Sequence, residues 1–223
     1  MNEHSFMARP AALSPVVKRV PEARPPVADK REAILKAATQ VFAQRGFFNA
    51  QVADVARAAG VAAGTVYLYF RSKDDLLVSL FERTMRDAIA AGRSALTGTA
   101  DPRERLRRIA RLHLERLGRD RDLAVVFQVE LRQSTKFMER FSSSYLREYL
   151  GIIRDAVEAG QAAGLFRRDV SATTAAKILF GALDEMATNW MLSRRRYSLE
   201  GDADAVIDLF LHGVHLRPSE GGA

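Results

Sequence analysis

The sequence predicts an all-α protein, with an N-terminal three-helix helix-turn-helix unit followed by a larger C-terminal helical bundle. Three observations lead there. Nowhere in the 223 residues do apolar and polar side chains alternate with the period of a strand. Apolar residues recur instead at intervals of three and four, the spacing of one helix face. Finally, Gln51–Phe70 reads as a short helix, a glycine-containing turn and a second short helix.

Taken in order, residues 1–28 carry Pro10, Pro15, Pro21, Pro25 and Pro26 without a sustained apolar period, the composition of a flexible tail. Asp29, with Glu32 three residues on, predicts an N-cap, and Ile34, Ala38, Val41 and Phe42 follow at helical spacing until Gly46. In the second helix Val52, Val55, Ala56 and Ala59 share a face, and Gly60 stops it. Ser72-Lys73-Asp74-Asp75 is a capping box ahead of Leu76, Leu77, Leu80 and Phe81. Asp101-Pro102-Arg103-Glu104 sets a cap, a proline at the first helical position and an acid in the first turn. Later helices are expected over roughly 121–132, 135–163, 171–193 and 202–216, with breaks at Gly118, at Gly164 and over 194–201. The domain division expected is a tail over 1–28, a DNA-binding unit over 29–76, a ligand-binding and pairing bundle over 77–217 and a flexible end over 218–223.

Composition narrows the function. There are no cysteines, which removes disulfides and thiolate metal sites, and no apolar run nears the ~18 residues that span a bilayer. With no signal-like N-terminus, a soluble cytoplasmic protein is expected. The formal net charge of +7 favours an anionic partner such as nucleic acid. Enzyme signatures are missing: no H-E-x-x-H, no G-x-S-x-G and no phosphate loop occur. His212 and His215 lie three apart without a third ligand, so neither a metal nor a cofactor is expected. His113, among leucines on a helix, reads as a core or pocket-edge residue.

The stretch GTVYLYF concentrates the chemistry. At helical spacing Val66 and Phe70 share the buried face, and the opposite side carries Gly64, Thr65, Leu68 and Tyr69. Thr65 and Tyr69 form an exposed, polar-tipped pair suited to phosphate or base edges. Gly64 lets a backbone come close. Lys73 sits in the first turn of the next helix, beside its unpaired N–H groups, and is a candidate phosphate ligand.

These residues resemble a known pattern. Ala56, Ala59, Gly60, Val61, Gly64, Thr65, Tyr67, Tyr69, Phe70, Lys73 and Leu76 reproduce the spacing of the DNA-binding domain of the TetR family of bacterial transcriptional regulators. The resemblance implies that Ala62–Tyr69 is the recognition helix, and that Gln51, Val52, Ala63, Gly64, Thr65, Tyr67, Tyr69 and Lys73 form the DNA-binding set. Two positions depart from the family. Gln51 stands where threonine is frequent, and Ala62 where a serine cap is frequent, which removes a cap worth ~1 kcal/mol.

Further on, DLAVVFQVELRQS, LFGALDEMATNWML and SRRRYSL are similar to a narrower group within that family, the repressors of fatty-acid degradation that leave DNA on binding long-chain acyl-CoA. The resemblance implies a dimeric repressor on a palindromic operator with an acyl-CoA effector. Such a ligand needs an apolar tunnel and cations for its phosphates. Ile109, Leu112, Val126, Phe127, Met138, Ile153, Phe180, Leu183, Met186 and Trp190 are candidates for the tunnel. Arg132 is the first choice for the cation, and Arg194–Arg196 the second. The alternatives are a drug-sensing repressor of an efflux system and, outside this class, an acyl-CoA carrier without a DNA role. The apolar residues Ile178, Leu179, Leu183 and Met186, with Val206, Leu209, Phe210 and Val214, make 171–193 and 202–216 the expected faces of a homodimer.

Overall fold

A computed structural model of the chain describes residues 27–133, 139, 144–195 and 197–214, with side chains from Asp29 onward. The sequence expectations on the tail before residue 27, on Met138, Arg196 and His215, and on 218–223 lie outside the described residues. Nine α-helices and two 3-10 turns account for most of what is described, and no strand is among it.

The first three helices form the head: α1 (Val27–Arg45), α2 (Val52–Ala58) and α3 (Ala63–Tyr69). Helix α1 starts three residues earlier than a cap at Asp29 would have it. Asp29 therefore lies in its first turn, where its charge meets the helix dipole, and is not the cap. The α1 end is as expected: Gly46 takes φ 76°, a conformation that L side chains avoid. Ile34, Leu35, Ala38, Phe42, Phe47, Val55, Val66 and Phe70 close a common core.

Helix α4 (Lys73–Ala95) leads into the body. Its cap forms as expected, Ser72 Oγ accepting from the Asp75 N–H at 3.1 Å, but the box does not close on Ser72: the Asp75 carboxylate accepts instead from the Arg71 N–H at 2.8 Å. Asp101 caps α5 (Pro102–Arg119) through the Arg103 N–H. The break expected at Gly118 comes later. The helix runs to Arg119, and Asp120 both ends it and caps α6 (Arg121–Gln128). Gly118 instead serves packing, since a Cβ there would lie 3.2 Å from Leu199 Cβ. Helix α6 is shorter than expected, and Glu130–Gln133 tighten into a 3-10 turn. The remaining helices are α7 (Tyr145–Ala162), α8 (Ala172–Leu192) and α9 (Ala203–Val214), the last preceded by a 3-10 turn at Leu199–Asp202.

In the body, α7 packs along α8, and α5 runs against α7, α8 and α9. Ion pairs from Arg107 to Asp208 and from Arg111 to Asp204 line the α5–α9 seam. Leu106, Leu114, Ile153, Leu179 and Leu183 are sealed from solvent, each worth ~1.5–3 kcal/mol of burial. The head meets the body where α1 lies against α6 and α4. No described helix is long and apolar enough to cross a membrane. No group of acidic and histidine side chains able to hold a metal is found among the described residues.

Candidate DNA-binding surface and ligand cavity

Helices α2 and α3 pack together through a turn in which Gly60 takes φ 67° and the Val61 N–H donates to Ala56 O at 2.9 Å. Gln51 precedes α2 and is exposed. Its backbone N–H donates to the Asp54 carboxylate at 3.2 Å, and that carboxylate is held by Arg45 and Arg57. Val52 is half-buried. Helix α3 has no side-chain cap at Ala62, in line with the sequence.

At about 100° per residue, helical geometry sorts the α3 side chains. Val66 is buried, so Leu68, roughly 200° away, must face outward. It is 83% exposed, and Tyr67 is 56% exposed. Ala63 and Gly64 are exposed as well. Thr65 and Tyr69 are not the exposed pair the sequence suggested. Both are half-buried, and Tyr69 packs on the core with its ring 6.5 Å from that of Phe70. Tyr69 lies only about 60° around the helix from Val66, which turns its ring inward. Sequence reasoning left Leu68 out of the DNA-binding set. Its position opposite Val66 was the signal available.

Lys73 also departs from expectation. Its ammonium donates to Phe47 O at 2.7 Å, Ala50 O at 2.9 Å and Phe48 O at 3.0 Å, and stands 4.7 Å from the centre of the Phe47 ring. An ammonium has three donors, and all three are taken. Lys73 fastens α4 to the loop between α1 and α2. Phe47 is held on its other side too: its N–H donates to the buried Glu130 carboxylate at 2.6 Å. One loop residue of the head is thus bonded both to α4 and to the 3-10 turn after α6.

In the body, a cavity opens among α4, α5, α6, α7 and α8, with about 710 Å³ of empty space counted out to its solvent-facing mouth. Four of the expected residues line it: Leu112, Phe127, Phe180 and Arg132. Ile109, Val126, Ile153 and Leu183 belong to the sealed core, and Met186 packs half-buried against that core away from the cavity. A face of apolar residues on one helix serves both core and cavity, and periodicity cannot divide them.

Trp190 is elsewhere. It borders a separate groove with Arg121, Arg194 and Arg195 at the end of α8, where its indole N–H donates to Tyr197 O and Arg121 lies 5.2 Å over its ring. Its place in the cavity is therefore not supported, and Arg194 and Arg195 do not reach the cavity wall.

The polar side of the cavity was mostly missed. Asp184 pairs with Arg132 and accepts from Gln128 Nε2 at 2.8 Å, while Thr188 Oγ donates to Gln128 Oε1 at 3.2 Å and to Asp184 O at 3.1 Å. An acid and a threonine inside the otherwise apolar run LFGALDEMATNWML were the legible trace. His113 lies within the wall, its Nδ1 2.8 Å from the Tyr149 hydroxyl. Burial holds its pKa down to about 4 against an opposing pull from the Asp184 carboxylate. Burial likewise pushes the Tyr149 phenol far above its ordinary value.

A helix-turn-helix head fastened to a helical body with an apolar cavity defines a transcriptional regulator. The chain belongs to the TetR family. Residues 34–80 match the bacterial regulatory proteins of the tetR family, and residues 81–213 match the C-terminal region of YsiA-like proteins. It is similar to the fatty acid metabolism regulator protein of Bacillus subtilis, at 34% identity over 82% of this chain and 94% of that protein. Among solved structures it resembles the fatty acid degradation regulator FadR of Bacillus halodurans, at 37% identity, covering 83% of this chain and 99% of that one, with a TM-score of 0.77. It also resembles the regulator FadR of Bacillus subtilis in complex with stearoyl-CoA, at 33% identity over 82% and 99% of the two chains, with a TM-score of 0.78. These relatives are regulators and not enzymes, as the missing catalytic motifs led one to expect.

Proposed function

We propose that the chain is a repressor that binds a palindromic operator as a dimer and is released from it by a long-chain acyl-CoA. The carrying observation is the cavity, whose largely apolar wall ends in a cation, Arg132, held by the Asp184 side chain among the described residues. The stearoyl-CoA bound by a relative of this fold supports the same ligand class. The apolar wall suits methylenes. Arg132 is exposed on the solvent side, where phosphates would compete with Asp184 for its guanidinium.

The route to DNA is short. Glu130 and Arg132 belong to one 3-10 turn, with Glu130 bonded to the head at Phe47 and Arg132 to the cavity wall. A ligand that draws Arg132 off Asp184 shifts that turn, and with it the contact that sets the angle of the head. Ile178 and Leu209, 56% and 78% exposed, leave apolar surface on α8 and α9 for a second copy. Two heads on one face of the duplex require half-sites ~34–36 Å apart or a multiple of that.

The test is a gel shift with the chain's own upstream DNA, titrated with stearoyl-CoA, stearate and CoA. Release by stearoyl-CoA at concentrations where stearate and CoA have no effect is expected. Equal release by stearate would overturn the reading, and so would binding to one half-site as tight as to the palindrome.

A further inference from the structure

His113 lines the cavity and carries a buried ring nitrogen that no described residue partners. Tyr149 is 8% exposed, and its hydroxyl lies 2.8 Å from His113 Nδ1. A buried phenol has one proton to donate, and Nδ1 is the acceptor within reach. With the phenol as the donor of this pair, Nδ1 carries no proton and the neutral imidazole holds its proton on Nε2. Burial keeps the ring neutral down to about pH 4. Phe180 meets the same ring edge-on, with centroids 5.8 Å apart, and so helps fix its tilt. Nε2 is shielded from solvent and has no hydrogen-bond partner among the described residues. An unsatisfied buried N–H is strongly unfavourable unless something else supplies the acceptor.

We propose that His113 Nε2–H is the donor that recognises a carbonyl oxygen of the ligand, namely the thioester carbonyl of an acyl-CoA. This rests on the acyl-CoA reading above and adds what in the ligand is read besides chain and phosphates. A neutral carbonyl is satisfied by this one donor, whereas a carboxylate would also compete with Asp184 for Arg132 and Arg116, which share the wall. Tyr149 acts as a positioning residue: it fixes which ring nitrogen bears the proton. The thioester is the one polar link between the acyl chain and the pantetheine arm, so one unpartnered group on the wall can register the ligand along its length.

The experiment compares stearoyl-CoA with S-octadecyl-CoA, in which a methylene replaces the carbonyl, by calorimetric titration of the full-length protein. The wild type is expected to prefer the thioester by about tenfold, the worth of one hydrogen bond to a buried donor. His113→Phe should bind both ligands alike. His113→Gln, whose amide N–H falls near the place of Nε2, should keep part of the preference and guards against a variant that merely misfolds. A wild type that binds the two analogues equally overturns the proposal, and so does a His113→Phe variant that retains the preference. If the wild type binds neither, the acyl-CoA reading itself has failed, a separate outcome.

Discussion

Replacing Lys73 by methionine keeps the aliphatic stem and removes only the ammonium. Three carbonyls of the loop from Phe47 to Ala50 then lose their donor at once. Hydrogen bonds to a charged group are each worth about 1.5–3 kcal/mol, but the three share one donor, and Phe48 is exposed, so water re-solvates part of the loop. The net cost should be about 2–3 kcal/mol. At roughly 2–4 °C per kcal/mol for a chain of this size, Tm should fall by about 5–10 °C. The companion measurement is operator affinity against salt, by fluorescence anisotropy. A residue that grips phosphate contributes about 0.9 to the slope of log affinity on log salt concentration, whereas a loop fastener contributes nothing to it. The expected result for Lys73→Met is a lower Tm with the slope unchanged. An unchanged Tm with a slope reduced by about one would refute the reasoning and return Lys73 to the DNA.

Three more expectations follow from the packing. Glu130→Ala leaves the buried Phe47 N–H without an acceptor, and the ratio of effector affinities with and without operator should move toward one; Glu130→Gln, which can still accept, should keep most of it, and an unaltered ratio in Glu130→Ala would break the proposed route. Gly160→Ala would drive a methyl into the ring of Phe166, itself buried, and should cost about 1–3 kcal/mol by thermal unfolding; a neutral result would mean that α7 can shift away. For His113 the folded pKa of about 4 lies below the usual value of 6.5. Its contribution is therefore complete above pH 6.5 and is lost as pH falls toward 4, by at most about 3 kcal/mol. His113→Gln should flatten the Tm profile between pH 7 and 5, and equal losses in variant and wild type would contradict the assignment.

Much of the fold was legible because it is written in local patterns. Helix periodicity, the cap at Ser72 and the positive-φ glycines at positions 46 and 60 act within a few residues of chain, so the order of elements and the head motif could be read directly. Leu112, Phe127 and Phe180 were reached in the same way, but only mixed with Ile109, Ile153 and Leu183, while Arg132 came from the need of a cation for phosphates. Each of the apolar ones belongs to the apolar face of its own helix, and nothing local says whether that face meets another helix or an open space.

What the sequence determined by itself was the helical class, the helix-turn-helix and the membership that its residues announce. Tertiary structure alone decided the use of the polar groups. Lys73 finds its carbonyls 23 to 26 positions back in the chain, Glu130 its amide 83 positions back, and Arg132 its acid 52 positions on. Charged side chains take whichever partner the fold brings within about 3 Å, at the cost of leaving water. That choice is set by how α1, α4, α6 and α8 pack, and no window of neighbouring residues contains it.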